Sequence, residues 1–127
     1  MQDCLRTGID QNRALYLYCF VDAGQATTIT EPAIEEDSPV RVHPWRDIAA
    51  VISTVPLSYF KDDQADARLQ DLAWIAPRAY RHERVIEEAM RHSPIFPVGF
   101  GTLFSSLENL EQEMERRYQA IRHTLAE

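Results

Sequence analysis

The chain has 127 residues, of which 45% are apolar and 26% are charged, and its formal net charge is −7. This length and composition are typical of one globular domain with a single hydrophobic core. The acidic balance argues against binding to the phosphate backbone of nucleic acid, and no apolar run approaches the roughly 20 residues of a membrane-spanning helix. We therefore expect a protein with no nucleic-acid partner and no membrane span.

The N-terminal segment and the cysteines indicate location and redox chemistry. Residues 1–12 are polar and predict a flexible leader, not a signal peptide, so we expect a cytoplasmic protein in which residues 13–127 form a single α+β domain. The two cysteines are Cys4, in the leader, and Cys19, in the first apolar run. Their positions suggest neither a disulfide framework nor a cysteine-based zinc site.

The first strand is predicted over residues 13–23, RALYLYCFVDA, which are rich in aromatic and branched side chains. Both faces of this strand are largely apolar, as expected of a central strand. Residues 25–38, which follow it, show no sustained helical period and predict an irregular excursion. Strict alternation divides the strand into two faces, one with Leu15, Leu17, Cys19 and Val21, the other with Tyr16, Tyr18 and Phe20.

A hairpin is predicted next. Residues 39–43, PVRVH, alternate so that Val40 and Val42 face a core while Arg41 and His43 face water. Residues 47–55, DIAAVISTV, have strand character as well. Because the connection between the two segments is short, we expect them to pair as antiparallel strands.

Helical periodicity begins at Asp66. Apolar residues recur there at spacings of three and four and predict a buried stripe, interrupted by Pro77, near which we expect a kink or the meeting of two helices. The second helical piece is predicted over residues 78–92. The stripe consists of Leu69, Leu72, Ile75, Ala76, Ala79, Ile86, Ala89 and Met90.

The segment SPIFPVGFGTLF, residues 93–104, predicts a fourth strand over 95–103 that bends at Gly99 and Gly101. Ser105 and Glu108 then have the spacing of a capping box, so a helix is expected to begin there. Its apolar face is predicted to comprise Leu107, Leu110, Met114, Tyr118, Ile121 and Leu125.

No motif assigns a catalytic, cofactor-binding or metal-ligating residue. His82-Glu83 matches the start of the zinc signature H-E-x-x-H, but Ile86 occupies the position of the second ligand. Gly99-x-Gly101 matches only half of a dinucleotide fingerprint. An enzyme would require converging titratable groups, for which His82, Glu83 and Tyr80 are the candidates. Two i,i+4 pairs, Glu83 with Glu87 and Arg84 with Glu88, are expected to decorate or cap this helix.

Two segments together resemble a known family. HERVIEEAM at 82–90, followed by SPIFPVGFGTLFSS at 93–106, is similar to the hallmark region of the gas vesicle GvpL/GvpF family, and the order of elements is similar over 14–127. The resemblance implies a modified ferredoxin-like α+β domain, an antiparallel sheet of about four strands with helices packed on one face. Members of that family are generally longer, so the chain resembles their N-terminal domain, and a C-terminal domain is expected as a further partner.

The resemblance implies a non-enzymatic accessory protein of gas vesicle assembly that binds the hydrophobic shell protein and helps nucleate or build the vesicle without a cofactor. Other gas vesicle accessory proteins are further expected partners. The alternative is a small-molecule-sensing or regulatory ferredoxin-like domain. Handling a hydrophobic subunit requires apolar surface or an open sheet edge. The aromatic candidates, for each of which core packing is the favoured interpretation, are Tyr16, Tyr18, Trp45, Tyr59, Phe60 and Trp74, so no partner-binding surface is assigned.

Overall fold

The computed structural model describes residues 13–25, 28–35, 38–56, 58 and 70–126. The predicted leader 1–12 and the candidates Tyr59, Phe60 and Leu69 lie outside these residues. The strands are β1 (Arg13–Asp22), β2 (Arg41–Trp45), β3 (Ile48–Pro56), β4 (Ile95–Pro97) and β5 (Leu103–Phe104). The helices are α1 (Leu72–Met90), α2 (Leu107–Arg116) and α3 (Tyr118–Ala126).

The strands form one antiparallel sheet in the order β2-β3-β1-β4, and β5 pairs with β1 as well. This order, with β1 in the interior, is that of a ferredoxin-like α+β domain and confirms the predicted fold class. The described part of the segment between β1 and β2 contains neither helix nor strand, as predicted. It contributes buried Ile29, Ala33 and Ile34 to the core where a ferredoxin-like fold has its first helix.

A β-bulge in β1 changes which of its side chains share a face. The pairing with β3 shifts between Leu17 and Cys19, so Tyr18 is an extra residue in β1. Tyr18 and Cys19 consequently lie in the same core cluster, while Phe20 joins Leu17 in the other. Tyr16 and Tyr18 share a face as predicted, but the prediction of strict alternation is wrong from Cys19 onward, because one inserted residue reverses the faces of all later side chains.

The helices cover both faces of the sheet. α1 packs Val85, Ile86 and Ala89 against the face that carries Tyr18. α2 and α3 pack against the opposite face through Leu107, Leu110, Met114, Ile121 and Leu125. The expectation that the helices pack on one face is wrong for this second pair, because the large apolar side chains on both faces of β1 require cover on both sides.

The predicted hairpin of β2 and β3 is confirmed, with a two-residue turn at 46–47. Arg41 is exposed and Val42 packs against the core, as expected. His43 does not face open water. Its side chain is 22% exposed, and its Nε2 lies 2.7 Å from an Oε2 oxygen of Glu111, because α2 packs over this end of the sheet.

The remaining elements correct several predicted boundaries. One continuous helix, α1, runs through Pro77, so the alternative of two helices is wrong. The fourth strand is divided into β4 and β5 by residues 98–102. The apolar face predicted for the last helix is buried, apart from the half-buried Tyr118, but it belongs to two helices that meet at Arg117. Ser106, not Ser105, caps α2 by accepting from the Asn109 N–H at 3.1 Å.

Candidate functional site

His82 lies in a buried hydrogen-bond network that joins α1, β1 and the segment 98–102. Its Nε2 lies 3.1 Å from the carbonyl oxygen of Val98, which only accepts, so Nε2 carries the ring proton of the neutral imidazole. Nδ1 is then the acceptor for the Tyr16 hydroxyl at 2.7 Å. The same hydroxyl oxygen accepts from the N–H of Gly101 at 3.1 Å. Both ring nitrogens therefore have structural partners.

Aromatic rings enclose this network. His82 is only 2% exposed and stacks on Tyr18, while Tyr16 and Phe100 meet it edge-on. Burial lowers the pKa of His82 more than the hydrogen bond to Val98 and the nearby Glu83 carboxylate raise it. The imidazole is consequently held neutral inside the fold.

The structure does not bring together the three candidates for an enzymatic site. His82 points into the core, whereas Tyr80 is 64% exposed and Glu83 is exposed as well. Successive residues of an α-helix project about 100° apart, which separates the side chains of His82 and Glu83. Within the described residues there is also no cluster of histidine, cysteine, aspartate or glutamate that could hold a metal ion.

Glu88, predicted to decorate or cap the helix as a pair with Arg84, is instead buried and anchors the irregular segment to α1, while Arg84 pairs with Glu31 and Glu87. Its carboxylate accepts from the backbone N–H groups of Thr30 at 3.0 Å and Glu31 at 2.9 Å, and from the Thr30 hydroxyl at 3.0 Å. Burial raises the pKa of Glu88, but the hydrogen bonds from Glu31 and Thr30 outweigh it and hold the pKa below its usual value. These hydrogen bonds thus hold the irregular segment against α1, in the place where a ferredoxin-like fold has its packed first helix.

Two of the aromatic candidates, Tyr16 and Tyr18, are fully buried, which confirms core packing for both. The bulge directs the Tyr18 hydroxyl toward the irregular segment, where it lies 2.8 Å from Ser53 Oγ and accepts from the Ile34 N–H at 3.0 Å. These tyrosines therefore hold the domain together and present no surface to a partner.

Trp45 and Trp74 are half-buried and each packs against an arginine. The Arg46 guanidinium lies 5.0 Å from the Trp45 ring centroid and 4.8 Å from that of Tyr118, which ties the hairpin to α3. Arg78 lies 4.2 Å from the Trp74 ring centroid. Both tryptophans thus contribute to intramolecular packing.

The edges of the sheet are poor templates for an added strand. β2 forms one edge, and β4 and β5 form the other; these strands have only five, three and two residues. β2 and β4 each contain a proline, Pro44 and Pro97, and proline lacks the N–H that pairing requires. An open sheet edge is therefore not the feature that best fits a partner.

Exposed side chains form a stripe along α1, which we call the outer seam. It consists of Leu72, Ala76, Tyr80, Glu83, Glu87 and Met90, at spacings of four, four, three, four and three. Leu72 is 77% and Met90 59% exposed, so their predicted burial, like that of Ala76, is wrong. The inner face of α1 is set by His82, Val85 and Ala89, which places the outer seam on the side away from the sheet.

Two spaces adjoin at the C-terminal end of α1. One is a partly open, apolar cavity of about 10 Å³ that Ile29 and Ala89 help to line. The other is an open depression of about 510 Å³ bordered by Met90, His92 and Ile95. The first is no larger than a water molecule needs, and the second does not enclose a ligand as small-molecule sites do. Neither offers the polar-lined pocket of a small-molecule sensor.

No helix in the described part of the chain is both long and apolar enough to span a membrane.

Over residues 14–127 the chain matches the family described as gas vesicle synthesis protein GvpL/GvpF. No curated protein and no solved structure shows a significant match. Apart from Arg13, the first residue of β1, the matched range contains every helix and strand described above, as well as both hallmark segments. The chain therefore belongs to the GvpL/GvpF family of gas vesicle synthesis proteins.

Proposed function

We propose that this chain is a non-enzymatic assembly factor that binds the hydrophobic gas vesicle shell protein and helps nucleate or build the vesicle. It acts in the cytoplasm at the growing vesicle, alongside other gas vesicle accessory proteins. Membership of the GvpL/GvpF family supports the biological setting. The physical support comes from one surface, the first half of the outer seam.

The observation that carries the proposal is the exposed apolar surface at the start of α1. The seam residues Leu72, Ala76 and Tyr80 are exposed and uncharged, and so are Ala73 and Pro77, which adjoin them on α1. Exposed apolar surface of this kind marks sites of protein interaction. The outward face of α2 differs, since its exposed residues are Glu108, Asn109, Gln112, Glu115 and Arg116.

The net negative charge of the chain is also consistent with the proposed role as an assembly factor. A factor that handles an aggregation-prone subunit must itself stay dispersed, and the net charge of −7 opposes self-association. A non-enzymatic role is supported by His82, whose two ring nitrogens are both engaged by Tyr16 and Val98 and are unavailable for proton transfer.

The test is capture of the shell protein by the full chain after co-expression in a heterologous host. Wild type is expected to retain the shell protein, and the double variant Leu72→Ser, Tyr80→Ser is expected to lose at least about four-fifths of it, because anchor residues contribute most of the energy of an interface. The matched control is Gln112→Ser, Gln119→Ser, which alters exposed residues on α2 and α3 and should retain wild-type capture.

Circular dichroism of both variants shows whether they fold, since all four positions are exposed. Failure of the wild-type chain to capture the shell protein would overturn the proposed function. An equal loss of capture in the control variant would show that the outer seam is not the binding site for the shell protein.

A further inference from the structure

We propose that the outer seam binds an amphipathic helix of the partner in which apolar side chains flank a pair of basic residues. This inference rests on the proposed function for the presence of a protein partner, and it adds the partner's secondary structure and charge. It is carried by the order of side chains along the seam.

The geometry favours a helix as the occupant. The spacings of four, four, three, four and three keep the seam on one side of α1, as in the contact stripe of packed helices. Leu72 and Met90 are 18 residues apart, which corresponds to about 27 Å at 1.5 Å per residue. A partner helix of about five turns laid along α1 would contact the whole seam. Ala76 is small and permits close approach next to the larger Tyr80.

The charged residues of the outer seam indicate which charge the partner helix carries. Apolar side chains occupy both ends, and the two carboxylates, Glu83 and Glu87, lie between them. In the described part of the chain Glu83 makes no ion pair. Within the same described residues Glu87 pairs only with Arg84, at 3.1 Å and with both side chains well exposed, and Arg84 also binds Glu31. Among the described residues, the C-terminal half of the seam therefore carries two carboxylates, of which Glu83 has no cationic partner and Glu87 has the exposed Arg84.

Covering these carboxylates with a wholly apolar helix would desolvate Glu83 without a counter-ion, which is unfavourable. An acidic helix would be repelled. Two basic residues four positions apart on the partner match Glu83 and Glu87, since side chains at that spacing lie on the same side of a helix. Charge complementarity thus favours a partner helix with a basic pair and favours the register that places this pair beside Glu83 and Glu87.

The test uses the full chain and two synthetic helical peptides of about 20 residues with the same leucine and alanine stripe. One peptide carries two lysines, four positions apart, at its centre, and the other carries two glutamates. Wild type is expected to bind the lysine peptide at least about tenfold more tightly than the glutamate peptide in fluorescence anisotropy. The variant Glu83→Lys, Glu87→Lys is expected to reverse this preference.

The matched control is Glu108→Lys, Glu115→Lys on α2, which changes the net charge equally and should keep the wild-type preference. Absence of binding by wild type, equal binding of both peptides, or reversal in the control would each overturn the inference. Shell-protein capture that persists unchanged in Glu83→Lys, Glu87→Lys would overturn it while leaving the proposed function intact. A lysine preference without shell-protein capture would overturn the proposed function alone.

Discussion

The hydroxyl of Tyr16 lies 2.7 Å from Nδ1 of His82 and links the central strand β1 to α1. The same cluster reaches residues 98–102 through Val98 and Gly101. His82 belongs to the segment HERVIEEAM and Gly101 to SPIFPVGFGTLFSS, so the two segments that resemble the family hallmark contact each other in the core. Their co-occurrence in the sequence has a physical basis, because each supplies hydrogen-bond partners that the other needs.

Replacing His82 by alanine is expected to lower the free energy of unfolding by about 2–4 kcal/mol. The change leaves a cavity among aromatic rings and removes the partner of the buried Tyr16 hydroxyl. Urea unfolding monitored by circular dichroism measures the difference. The exposed neighbour Glu83→Ala is the control, expected within about 0.5 kcal/mol of wild type. A loss below about 1 kcal/mol for the His82 variant would contradict a stabilising role for this hydrogen-bond network.

The free energy of unfolding is expected to fall in two steps as the pH is lowered. The pKa of His82 is lowered from 6.5, so the unfolded chain binds a proton that the folded chain does not, and stability falls as the pH drops below about 6.5. The pKa of Glu88 is also lowered, so a second loss occurs as the pH passes below 4.5. Urea unfolding at a series of pH values tests both steps. The variant His82→Phe should lose the first step only, and an unchanged profile would refute the assignment.

Gly99 and Gly101 lie in one short segment and allow a test substitution to be compared with a matched control. Gly101 has φ +94°, a conformation that side chains with a Cβ rarely adopt, so Gly101→Ala is expected to cost about 1–2 kcal/mol. At Gly99 a Cβ would meet nothing within 4 Å, and φ is not positive. Gly99→Ala should therefore change stability by less than about 0.5 kcal/mol. Thermal unfolding of the two variants side by side decides the matter, and equal effects would contradict the distinction.

Glu88 and its neighbour Glu87 allow a second comparison of a test substitution with a matched control. Glu88→Gln replaces a buried acceptor of three hydrogen bonds from Thr30 and Glu31 and is expected to cost about 1–3 kcal/mol. Glu87→Gln alters an exposed ion pair and should change stability by less than about 0.5 kcal/mol. Amide hydrogen exchange at Thr30 and Glu31 should accelerate only in the Glu88 variant. Unchanged exchange there would show that the carboxylate does not hold this segment.

Element types and their order could be predicted because they depend on local patterns. The hairpin of β2 and β3 and the apolar stripe from Leu107 to Leu125 were both readable from spacing alone. The bulge at Tyr18 could not be predicted in the same way. Where both faces of a strand are apolar, a slip of one residue leaves the pattern of apolar side chains unchanged.

The outer seam was mispredicted for a related reason. The first half of α1 has small or apolar residues on several sides, among them Leu72, Ile75, Ala76 and Ala79, so periodicity does not determine which side is buried. The side is determined by His82, a polar residue whose partners Tyr16 and Val98 are distant in sequence. Only tertiary contacts carry that information.

The interior position of β1 has a consequence for folding. Of the described strands β1 is synthesised first, yet its two edges are completed by β3 and by β4 and β5, the last of which ends at Phe104. One edge of the most aromatic strand therefore stays unpaired until nearly the whole domain has left the ribosome. Because closure depends on contacts between distant parts of the chain, folding is expected to be slower than that of a helical bundle of equal size and most vulnerable to aggregation before β4 docks.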